Sequence, residues 1–145
     1  MKPGGLSDSC AEPLFGLWVR GLALSRLGRN QEAIEALERA ATLSLAPIFV
    51  DVLGLGYALA GRLDDATRLL RDLADRGSRG EYVPAFAPLF IHVGLRDVPA
   101  MRRELANAVP ESTHPFSLAA TGCMALEEFR GDPEIDRLLF DLLGR

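Results

Sequence analysis

A block near the start of the chain returns 33 residues later, and that shift limits the fold more than any other feature. Residues 18–45 read WVRGLALSRLGRNQEAIEALERAATLSL; residues 51–78 read DVLGLGYALAGRLDDATRLLRDLADRGS. In this register Gly21 meets Gly54, Leu24 meets Tyr57, Gly28 meets Gly61, Ala33 meets Ala66 and Leu37 meets Leu70. Self-similarity at a fixed period of about 20–50 residues marks a stack of supersecondary units, each burying its apolar face on the next. Such stacks present long surfaces that bind other molecules. Binding rather than chemical transformation is the expected class of activity, and no partner is implied.

The periodicity within the blocks is helical. Over 30–43, Ala33, Ile34, Leu37, Ala40 and Ala41 recur at three- and four-residue spacing, with Gln31, Glu32, Glu35, Glu38 and Arg39 mostly opposite. Asn30 has the side chain of an N-cap. Residues 63–76 repeat the scheme with Ala66, Leu69, Leu70 and Leu73 inward, and Asp64–Arg68 and Arg68–Asp72 spaced as i,i+4 ion pairs. The segments before them, 13–27 and 47–60, are apolar around more of their circumference, as expected of helices buried on several sides. Each runs into a glycine, Gly28 or Gly61, that can take the left-handed conformation ending a helix. Pro47 suits a first helical turn, and Ile48-Phe49-Val50-Asp51-Val52, although rich in β-formers, reads as helix because it lies inside the repeat. A third, irregular pair follows over 82–95 and 98–109, displaced by 35 residues from Leu70 to Leu105. Pro88 is expected to kink its first helix or delay its start. Residues 115–129 and 132–143 complete the chain, the last opened by Asp132, Pro133 and Glu134 and carrying Ile135, Leu138, Leu139 and Leu142 on one face.

These residues resemble the tetratricopeptide repeat (TPR) family. The shared signature is a small residue midway along the first helix (Gly21, Gly54), a large one three further on (Leu24, Tyr57) and glycine at the turn (Gly28, Gly61). Alanine follows early in the second helix (Ala33, Ala66), with a large residue four later (Leu37, Leu70). The chain departs from the pattern at Leu73, where a small residue is usual and Ala74 comes one place late. It departs again at Leu45 and Ser78, which lack the closing proline, and at Met101, where alanine is usual. The stretch from Glu128 to Leu139 is similar to a motif that closes TPR arrays in bacterial signalling enzymes and transcriptional regulators. The resemblance implies an all-α, right-handed α-solenoid. It would comprise a flexible N-terminus (1–12), three TPR-like units within 13–109 (13–45, 46–79 and 80–109) and closing helices over 110–145.

In TPR proteins the first helix of each unit lines the concave face. Carried over, that face comprises Phe15, Trp18, Leu22, Ser25 and Arg26 from the first unit and Ile48, Asp51, Leu55, Ala58 and Leu59 from the second. The third gives Val83, Phe86, Phe90, Val93 and Gly94. An exposed apolar face of this kind would mark an interaction site for an amphipathic helix or extended peptide. Residues 115–129 or a second copy, making a homodimer, could equally cover it. Arg26 and Asp51 could orient a polar ligand group or pair with each other. The lysine and asparagine set that clamps a carboxylate terminus in some TPR domains is lacking, so chaperone-tail binding is not expected.

Other chemistries find little support. A net charge of −4 argues against nucleic acid, whose phosphates need a basic face. Cys10 and Cys123 are too few and too far apart for a disulfide framework or a zinc site. His92 lies on an apolar helix and His114 in a loop before Pro115, so they read as core or surface histidines; neither Cys10 nor Cys123 has a neighbouring base in sequence, and Gly54-Leu55-Gly56 lacks the third glycine of a dinucleotide loop. Asp64–Asp65 and Glu127–Glu128 are adjacent on a helix and diverge. The amino end has no apolar core of a secretory signal, and 85–95 is too short to span a membrane. The expectation is a cytoplasmic adaptor without catalytic residues, cofactor or metal, bound to a protein or peptide. Its alternatives are the regulatory C-terminal part of a bacterial signalling protein, a self-associating structural module, or a small hydrolase dependent on His92 or Cys123.

Overall fold

The computed structural model describes residues 14–111 and 126–143, and every regular element among them is helical. In chain order these are α1 (Leu14–Arg26), α2 (Asn30–Leu43), α3 (Pro47–Leu59), α4 (Leu63–Ser78), α5 (Phe86–Leu95) and α6 (Val98–Glu111). A 3₁₀ turn (Glu127–Phe129) and α7 (Pro133–Leu143) follow. Residues 1–12, the greater part of 115–129, Cys10, His114 and Cys123 lie outside the described residues.

The difference in apolar patterning between first and second helices becomes a difference in position. The amphipathic α2 buries Ala33, Ile34, Ala36, Leu37 and Ala40 on one side, and α4 buries Ala66 and Leu73. By contrast, α3 is buried without interruption from Phe49 to Ala58, and α5 buries all but a few of its side chains. These two helices pack on each other and form the centre of the core. Around them, α1 packs on α2 and α3, α2 on α3, α4 on α3 and α5, α6 on α5, and α7 on α6.

Close approach explains the small residue midway along α1 and α3. A Cβ at Gly21 would lie 2.4 Å from Leu37 Cγ, and one at Gly54 would lie 2.5 Å from Ile91 Cγ1. The equivalent glycines therefore serve different contacts, one within the first helix pair and the other between α3 and α5.

The ends of α1, α3 and α5 share one hydrogen-bonding motif. The amides of Arg29, Arg62 and Asp97 reach back to the carbonyls of Leu24, Tyr57 and His92, while those of Gly28, Gly61 and Arg96 bond Ser25, Ala58 and Val93. This closure needs a left-handed residue. Gly28 and Gly61 supply it with φ of 77° and 82°, but the third turn holds Arg96 at φ 58°.

Local expectations hold at most helix boundaries and are corrected at a few. Pro84 and Pro88 delay α5 to Phe86, which leaves Pro88 in the first turn, where an N–H would have no intrahelical partner. Asn30 is the first helical residue rather than the N-cap, and its side-chain Nδ2 donates to the Leu59 carbonyl at 3.5 Å. Arg68 pairs with Asp65 at 2.8 Å rather than with Asp64 or Asp72; Asp65 also meets Arg62 at 2.8 Å, and Asp72 meets Arg76 at 3.7 Å. Asp132 behaves as an N-cap: its carboxylate accepts the amides of Glu134 and Ile135 at 3.1 Å and also meets Arg102 of α6. That contact, with buried Ile135, Leu138 and Leu139, holds α7 on α6.

Candidate binding surface on the first helices

The face carried over from the TPR pattern is not uniformly open. Trp18, Asp51 and Phe86 occupy equivalent positions on α1, α3 and α5, and all three are buried, Asp51 completely. Leu22, Leu55 and Phe90, one turn further on, are also buried, with Phe90 only 1% exposed. All of these except Asp51 belong to the hydrophobic core cluster. Trp18 Nε1 donates to the Ile48 carbonyl at 3.2 Å, and Phe86 and Phe90 pack with ring centroids 6.1 Å apart. At the margins, Phe15 is 60% exposed although its ring meets Phe49 edge-on, Leu59 is 42% exposed, and Arg26 is exposed.

An open space remains where the C-terminal ends of the three helices converge. It is a cavity of about 200 Å³ lined by Leu22, Ser25 and Arg26 of α1, Leu55, Ala58 and Leu59 of α3, and Val93 and Gly94 of α5, with Arg96 and Glu128 closing one side. Its depth depends on the close approach of α5 to α3: a Cβ at Gly94 would lie 2.7 Å from that of Ala58. Eight of the ten lining residues belong to the face expected from the sequence, which brings those residues into one site.

The electrostatics at the mouth are asymmetric. Arg96 binds Glu128 at 2.6 Å and lies over the Phe129 ring, 5.2 Å from its centroid. Arg26 takes part in no ion pair among the described residues. A pairing of Arg26 with Asp51 is therefore not formed. Both Asp51 carboxyl oxygens are closed off from solvent without a hydrogen-bond partner, and burial raises the group well above the usual carboxylate range, favouring the neutral acid. Arg96 and Glu128 escape a reading of the repeat. The only hint at Arg96 is that a non-glycine occupies the turn position of the third unit, while Glu128 comes from a segment outside the repeats.

A second cavity of about 430 Å³ lies between α4, α5 and α6, with Leu70, Leu73, Val83, Pro88 and His92 among its lining residues. Burial lowers the His92 pKa, and its Nδ1 is buried without a partner, so this nitrogen is unavailable to an occupant in the observed arrangement. Among the described residues no group of three or more His, Cys, Asp or Glu could hold a metal ion, and no helix is long and apolar enough to cross a membrane. In comparison with known proteins, the chain matches no family model, no curated protein and no solved structure.

Proposed function

We propose that the chain is a TPR-like α-solenoid that acts as a protein-interaction module, holding a partner helix or peptide at the converging ends of its first helices. The observation that carries this reading is the size and make-up of the cavity. About 200 Å³ lies below the roughly 300–1,000 Å³ of pockets that enclose cofactors and drug-sized ligands. It is closer to the roughly 150 Å³ cavity that holds a single benzene ring, and so to one anchoring side chain. Its floor is apolar and contributed by three helices at equivalent positions, as expected where repeated units share one binding face. An adaptor in the cytoplasm fits this arrangement.

A displayed library of random peptides, selected on the chain and on Leu59→Glu, tests the reading. Leu59 is 42% exposed, so the variant should keep its helicity, checked by circular dichroism. Peptides enriched by the wild type and lost by the variant support a binding module. A wild type that enriches none, or a variant that keeps the same set, refutes it.

A further inference from the structure

The cavity and its mouth also specify the chemistry of the partner, an inference that rests on the reading above. We propose that the bound segment seats one aliphatic side chain in the cavity and places a carboxylate, one or two residues away, on Arg26. The walls are aliphatic, Leu22, Leu55, Leu59 and Val93, with no aromatic side chain among the lining residues. Such a wall offers dispersion contacts and water exclusion but no ring stacking, so leucine, isoleucine or methionine fits it best.

The carboxylate follows from the balance of charge. The cavity is bordered by two guanidinium groups and one carboxylate. Glu128 takes up the charge of Arg96 at 2.6 Å, leaving Arg26 as the group at this mouth with no counter-charge among the described residues. Although the chain carries a net charge of −4, repulsion of an acidic partner is screened beyond about 8–10 Å at physiological salt. At contact distance Arg26 decides which charge is accepted. A rim charge of this kind acts mainly on orientation, association rate and salt dependence.

The test uses a fixed set of labelled synthetic peptides. One position carries Leu, Ala or Lys, and a position one or two residues away carries Asp, Asn or Lys. Binding to the wild type, Arg26→Ala and Arg26→Glu is read by fluorescence anisotropy at low and high salt, with helicity confirmed for each. The expected result is strongest binding to Leu–Asp peptides, weakened by salt. Arg26→Ala should reduce it by roughly threefold to fivefold, and Arg26→Glu should shift the preference to Lys. Binding of Leu peptides with no preference for Asp, or a preference unchanged in Arg26→Glu, overturns this inference and leaves the interaction module standing. If no peptide binds while the display selection succeeds, the aliphatic–acidic assignment falls; if both fail, the module reading falls with it.

Discussion

Replacing Asp51 with asparagine should stabilise the chain, by an amount that grows with pH. Asp51 is completely buried, and neither carboxyl oxygen has a hydrogen-bond partner. Burial raises its folded-state pKa well above that of the unfolded chain. Below about pH 3.9, the ordinary aspartate value, both states hold the proton and ionisation contributes nothing to the difference between them. Above it, the unfolded chain releases the proton while the folded chain retains it. The unfolded state then binds fewer protons, and stability falls by about 1.4 kcal/mol per pH unit until the folded carboxyl itself ionises. Asparagine is close in size, leaves a similarly unsatisfied polar group and does not ionise, so the variant lacks this slope. Urea unfolding followed by circular dichroism from about pH 4 to about pH 7 should give nearly equal stabilities at the acid end and a widening advantage for Asp51→Asn. The difference between the two chains cancels the titration of every other group. Parallel stability curves would refute the reasoning, since they require Asp51 to ionise as readily folded as unfolded.

Phe90→Ala should cost about 3–5 kcal/mol, as expected for a large side chain deleted from a core, whereas Phe15→Ala at an exposed margin should cost far less; urea midpoints measure both. Gly21→Ala should lower the melting temperature: overpacking against Leu37 costs about 1–3 kcal/mol and outweighs the roughly 1 kcal/mol gained in helix propensity. Asp132→Ala should speed amide hydrogen exchange throughout α7, because the cap and the tie to Arg102 are lost together. The Arg102 hydrogen bond, followed by the amides of Ile135 and Glu134, holds the Asp132 pKa below its ordinary value. Its contribution is therefore present above the unfolded value and lost as pH falls through the folded one, so wild type and variant should converge in acid.

Local signals accounted for the helices because they depend on neighbours three or four residues away. The apolar spacing around Ala33 and Leu37, the turns at Gly28 and Gly61, Pro47 at a helix start and the Asp132 cap could all be read along the chain. The face shared by α1, α3 and α5 could be listed in the same way, since equivalent residues in a repeat take equivalent angular positions. Sequence spacing could not say which of those positions would be closed. Trp18, Asp51 and Phe86 share a register, yet Asp51, expected as a charge in an open groove, is buried without an ion-pair partner and held towards its neutral form. Sequence also gave no measure of how near α5 would come to α3 at Gly94, a distance that shapes the cavity floor, nor that Arg96 would find Glu128 32 residues away. The chain by itself determined the helices, their ends and their apolar faces, because short-range hydrogen bonding and side-chain periodicity set them. Only the tertiary structure decided burial, the cavity and the lack of an ion pair for Arg26 among the described residues, because these depend on distances between helices that no periodicity encodes.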